Sequence, residues 1–127
     1  MQEQHLFEYA VIRVVPRVER EEFMNVGVVL YCASQKFLKA VYTLDSARLN
    51  ALDSNLDKEE LCLYFDVFER ICSGDTTAGS IAKLPPAERF RWLTATRSTV
   101  VQTSKVHPGF CVNPADMLQR LYGQLVL

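Results

Sequence analysis

The sequence is poor in the groups that usually carry chemistry: 127 residues contain two histidines, one tryptophan and four cysteines. Cys32, Cys62, Cys72 and Cys111 form no C-x-x-C pair, and a zinc site made from them and His107 would require all five to converge in space. Each lies in an apolar stretch, so the four read as small buried hydrophobes of a reducing compartment. No apolar run approaches the roughly 20 residues of a membrane span. Neither charge dominates: 14 basic and 15 acidic side chains leave a net charge of -1 and a pI near 6.1, which argues against a general nucleic-acid binder. The opening Met1-Gln2-Glu3-Gln4-His5 lacks the basic and apolar regions of a secretory signal, so a cytoplasmic protein is expected. G-x-S-x-G, S-x-x-K and H-E-x-x-H are missing. Gly74 and Gly79 have P-loop spacing, but Ser80 stands where the lysine is needed and the segment follows a helix, which rejects a nucleotide loop. No cofactor, no metal and no catalytic residue is expected on these grounds.

What is present is enough apolar material for one core. With 49% of residues hydrophobic, a chain of this length buries about two-thirds of its unfolded surface, so residues 1–127 are read as a single domain. Leu6–Val15, Asn25–Cys32 and Lys36–Thr43 are rich in Val, Ile, Tyr and Phe and are closely linked, as in an antiparallel meander. The first is apolar on both faces and is placed centrally; Lys36 and Lys39 place the third at an edge. Asp45–Asn55 suits one or two helical turns. Asp57 with Glu60 then resembles a capping box ahead of a stripe of Leu61, Tyr64, Phe65, Phe68, Ile71 and Cys72 at helical spacing, closed by Gly74. Pro85-Pro86 opens a short helix through Trp92, Ser98–Ser104 reads as a fourth strand, and Asn113-Pro114 starts a terminal helix carrying Leu118, Leu121, Tyr122 and Leu125. The expected class is α+β: an antiparallel sheet of three to four strands covered by a central and a C-terminal helix.

Several polar groups sit where a core should be. Arg13 interrupts the first strand, and Asn25 and Gly27 fall at or near the start of the second. Pairing of Arg13 with Glu21 or Glu22 across the hairpin is the plainer reading; a ligand site is the other. Gly27 reads as a bulge or close-packing position, or as backbone opened to a ligand. Between residues 83 and 107, Lys83, Arg89, Arg91, Arg97 and Lys105 face the single acid Glu88, with Phe90 and Trp92 among them. That segment reads as a solvated face anchored by its aromatics, or as an anion or single-strand nucleic-acid surface. His107 precedes the turn signal Pro108-Gly109 and is placed in a loop, where catalysis would need a partner such as Ser98, Ser104 or a cysteine.

Tyr9-Ala10-Val11-Ile12-Arg13-Val14-Val15-Pro16, followed by Arg20-Glu21-Glu22-Phe23-Met24-Asn25-Val26-Gly27-Val28-Val29-Leu30 and later by Arg89-Phe90-Arg91-Trp92-Leu93 and Arg97-Ser98, resembles the bacterial domain of unknown function family numbered 3037. Val106-His107-Pro108-Gly109 and Asn113-Pro114 extend the resemblance over nearly the whole chain. The resemblance implies a small bacterial cytoplasmic protein, and some such proteins are encoded beside HipA-like kinases, which implies a kinase-like partner. It adds weight to Arg13, Glu22, Asn25, Gly27, Arg97 and Ser98 and assigns them no activity.

The leading expectation is a non-catalytic interaction or regulatory module accessory to such a kinase, with homodimerisation left open. The alternative is a phosphate- or nucleotide-binding domain or small enzyme using Arg13, Glu22, Asn25, Arg97, Ser98 and His107. A nucleic-acid role ranks third, and no membrane association is expected. Near-neutrality also conceals a division: residues 1–75 hold 8 basic and 13 acidic side chains, and residues 76–127 hold 6 and 2. An acidic front and a basic back suit internal pairing or an oriented partner.

Overall fold

The fold is built outward from one strand whose two faces are both apolar. The computed structural model describes residues 3–97 and 99–127. Strand β1 (His5–Val14) pairs antiparallel with β2 (Met24–Cys32), and β3 (Phe37–Tyr42) pairs antiparallel beyond β2. The other flank of β1 is shared by two short antiparallel strands, β4 (Val101–Thr103) against Ile12–Val14 and β5 (His107–Cys111) against His5–Tyr9. The expected α+β class, central first strand and edge third strand are all present. The sheet has five strands, and β4 is shorter than the stretch read from residues 98–104.

The segment placed in a loop at His107-Pro108-Gly109 is instead strand β5. Two local facts explain the difference. β5 is paired on one side only, so a proline nitrogen turned outward removes no ladder bond. Gly109 lies under the Phe7 ring, where an added Cβ would sit 2.7 Å from Phe7 Cζ. Gly27 marks the other irregularity. The β1–β2 register shifts between Ile12 and Arg13, so Val26 and Gly27 together oppose Ile12. A Cβ on Gly27 would meet the Val41 carbonyl oxygen at 2.6 Å, so close packing against β3 explains this glycine.

Helices cover both faces. On one, α1 (Ser46–Leu52), α2 (Lys58–Ser73) and α3 (Pro86–Leu93) bring Leu49, Phe65, Phe68, Ile71, Phe90 and Leu93 onto Ala10, Ile12, Val14, Val29 and Ala40. On the other, α4 (Pro114–Leu125) lays Leu118, Leu121 and Tyr122 over Phe7, Val28, Leu30, Cys32 and Cys111. Each face therefore buries its own cluster, which is why β1 and β2 are nearly continuous in apolar residues.

The helix ends are closed by side chains. Asp45 accepts from the amides of Ala47 and Arg48, Asp57 from Glu60 and Asn113 from Asp116. The C-terminus of α2 is closed from inside. Buried Arg89 donates Nη1 to the Ile71 and Cys72 carbonyls, 2.7 Å each, and Nε to Leu84 at 2.9 Å. A buried guanidinium held only by carbonyls serves the negative end of the helix dipole. Arg97 closes α3 by donating to the Trp92 and Leu93 carbonyls while its guanidinium stacks 4.2 Å over the Trp92 ring. Near the end of α4, Asn25 Nδ2 donates to Leu125 O at 3.1 Å and Arg48 Nη1 to Val126 O at 3.4 Å.

One hydroxyl bridges the place where β1 changes partner. Between β4 and β5, Ser104 N donates to Val11 O at 2.8 Å, and Val11 N donates to Ser104 Oγ at 2.8 Å; Ser104 Oγ in turn donates to Lys105 O at 2.9 Å. Ser104→Ala orphans a buried amide of the central strand, and urea unfolding is expected to show a loss of about 1–3 kcal/mol. An unchanged midpoint would mean that Val11 finds another partner.

Candidate functional site

The residues singled out from the sequence are spread over the molecule. Arg13 and Asn25 come together: Arg13 Nε donates to Asn25 Oδ1 at 3.4 Å, with the guanidinium 4.2 Å over the Phe23 ring. The expected Arg13 pairing with Glu21 or Glu22 does not form, because the bulge at Val26 sets Asn25 opposite Arg13. Glu22 pairs with Arg20 at 2.5 Å, both largely exposed, where such a pair contributes little. Arg97 belongs to the end of α3, on the opposite side of the sheet from Asn25 and α4. His107 packs against Tyr9 in the middle of β1, with ring centroids 5.4 Å apart and the planes tilted by 37°. Ser98 lies outside the described residues.

Within the basic 83–107 segment, Arg89 and Arg97 are committed to helix ends, which leaves Lys83, Arg91 and Lys105 exposed. Ser104, considered as a partner for His107, is buried with its hydroxyl both accepting and donating. Among the described residues, no group of three or more His, Cys, Asp or Glu is placed to hold a metal ion.

Two surface features combine exposed groups in ways that suit binding. The first is a pair of adjoining clefts at the end of the sheet that share Pro16, Arg17 and Asp53. The larger, 640 Å³, is floored by Leu56, Leu61, Tyr64 and Val101 and rimmed by Arg17, Asp57 and Glu60; the smaller, 370 Å³, includes Arg20 and Glu22. Its volume suits a small ligand. Two of the rim carboxylates already hold backbone, Asp57 at Glu60 N and Asp53 at Asn55 N, 2.8 Å for the latter.

The second feature is the outer edge of β5. Val11 turns both its amide and its carbonyl toward Ser104, so the odd-numbered residues of β1 bond toward the β4/β5 flank. Alternation makes Phe7–Gly109 and Tyr9–His107 hydrogen-bonded pairs and leaves the backbone polar groups of Pro108 and Phe110 pointing outward. The side chains of these residues share a face with Leu6, directly opposite Phe110. Leu6 is 54% and Phe110 64% exposed, and the flanking Val106 and Val112 are also exposed. An apolar row therefore runs along an open strand edge, on a face buried under helices further along β1. In the sequence it is hidden behind the turn composition of Pro108-Gly109, and its one signal is the even-numbered apolar row Val106, Pro108, Phe110 and Val112.

The cysteines divide unevenly. Cys32, Cys72 and Cys111 are buried while Cys62, expected to be buried, is exposed on the outer face of α2. Burial pushes the Cys72 thiol up to about 12. Near neutral pH, a disulfide reagent is expected to titrate one thiol quickly and the other three only on unfolding; two or more fast thiols would contradict this packing.

No curated protein and no solved structure shows a match to this chain. The family described as "Protein of unknown function (DUF3037)" matches it over residues 9–126, from the middle of β1 to the end of α4. That span takes in both helical layers, the second half of β1 and the whole of β2 to β5, with Leu6 before its start, and the chain belongs to this family.

Proposed function

We propose that the protein is a non-catalytic interaction module, and that its contact surface is the open edge of β5 with the apolar row Leu6, Val106, Pro108, Phe110 and Val112. The observation that carries this reading is the Leu6–Phe110 pair. Two large apolar side chains face each other across a ladder, both more than half exposed, beside unpaired backbone groups. Apolar surface grouped this way against an open edge favours association with another chain. Peptide partners use such edges by adding a strand, with main-chain bonds giving affinity and alternate side chains giving selectivity.

The partner proposed from the family resemblance is the kinase-like protein encoded nearby, for which this module is an accessory or regulatory subunit. Phe110 belongs to neither buried cluster, so Phe110→Asp is expected to leave the dilute protein folded, with an unfolding midpoint close to that of the parent chain. In co-expression and pull-down with the kinase-like protein, the parent chain is expected to be captured and Phe110→Asp to weaken capture by at least about ten-fold. Absence of association, or association indifferent to Phe110, would contradict the reading.

A further inference from the structure

Resting on the reading of the β5 edge as a docking surface, we infer that its occupant in the free protein is a second copy of this chain, paired through β5 about a two-fold axis at Phe110. The edge offers a restricted set of backbone groups. Phe110 presents an outward N–H and C=O. Pro108 presents a C=O with no N–H, and alternation turns the Val112 N–H outward. These groups restrict the registers available to a copy of the same strand.

With Phe110 opposite the partner's Phe110, the two residues exchange both bonds. Each Val112 N–H then meets the partner's Pro108 carbonyl, so four hydrogen bonds form and none requires the missing proline N–H. Val112 is also where the chain leaves the strand for the Asn113 cap of α4, so its carbonyl is not held in the ladder. Centring the axis on Gly109 instead sets Phe110 against the partner's Pro108. Each Phe110–Pro108 pair then makes one bond instead of two, and both Phe110 carbonyls are left facing proline nitrogens. The edge is therefore self-complementary in the Phe110 register.

Side chains agree with that register. An axis perpendicular to the sheet keeps both copies facing the same way, so the two Phe110 rings become cross-strand neighbours flanked by the two Leu6 side chains. The Val106–Val112 segment carries no Asp, Glu, Lys or Arg, so its copy meets no like charge. The β3 edge carries Lys39 in the strand and Lys36 just before it and is guarded against the same pairing. A single five-residue strand with its apolar row falls below the roughly 1,200 Å² of standard stable interfaces, so the dimer is expected to dissociate on dilution.

Sedimentation velocity across a dilution series, with the full chain alone, tests this. The expected result is a monomer–dimer equilibrium whose Kd rises at least about ten-fold in Phe110→Asp. Mixed-label NMR then reads the register. Val112 and Pro108 of one copy are about 13 Å apart along the strand, so a nuclear Overhauser contact between them arises only across the dimer. Contacts between Val112 methyls and the partner's Pro108 ring support the inference. A chain monomeric at every concentration, a dimer insensitive to Phe110→Asp, or intermolecular contacts elsewhere would overturn it. A monomer that still captures the kinase-like protein through Phe110 would overturn the dimer alone, whereas a Phe110-dependent dimer that captures no such protein would support the dimer and remove the kinase-like partner.

Discussion

The exchange between Val11 and Ser104 is the contact on which the rest of the arrangement depends. A ten-residue central strand cannot be covered on its second flank by either short strand alone, and the chain fills that flank with β4 and β5 end to end. At the junction, a serine hydroxyl takes the amide that a third backbone would have taken. Because the same residue also donates its own amide to Val11, the phase of β5 along β1 is fixed. That phase decides which side chains of β5 enter the α4 core, Cys111 among them, and which stand outside with Leu6.

The uneven charge along the chain acquires a local meaning. Asp45 and Asp57, in the acidic front, accept from amides at the starts of α1 and α2. Arg89 and Arg97, in the basic back, donate to carbonyls at the ends of α2 and α3. Acids at positive helix ends and guanidinium groups at negative ends are the expected complement to the helix dipole. Internal satisfaction of backbone therefore accounts for part of the acidic front and basic back. The same logic covers Arg13 and Asn25, whose amide reaches the last turn of α4. Their interruption of apolar strands reflects a helix docked on that face of the sheet.

Most elements were legible because they obey local rules. Asp57 with Glu60, the stripe through Phe65 and Phe68, Gly74, and Asn113-Pro114 all announce helix boundaries by capping chemistry or by period, and the lysines of β3 announce an edge. The failures were long-range. Pro108-Gly109 has turn composition, but the pairing of β5 with β1, about a hundred residues away in sequence, overrides it because a one-sided strand tolerates proline and Phe7 needs the space that glycine leaves. Sequence proximity points Arg13 to a carboxylate partner, and a one-residue bulge supplies the Asn25 amide instead. The apolar context of Cys62 suggests burial, while helical phase turns it outward. The apolar edge was missed because its exposure depends on the two short strands sharing one flank.

The phase of β5 places the Phe110 amide outward and those of His107 and Gly109 inward. Amide hydrogen exchange followed by NMR on dilute protein tests it residue by residue. Slow exchange is expected at Val11, His107 and Gly109 and fast exchange at Phe110. The reverse pattern, with Phe110 protected and Gly109 open, would contradict it, because the edge would then present different groups to any partner.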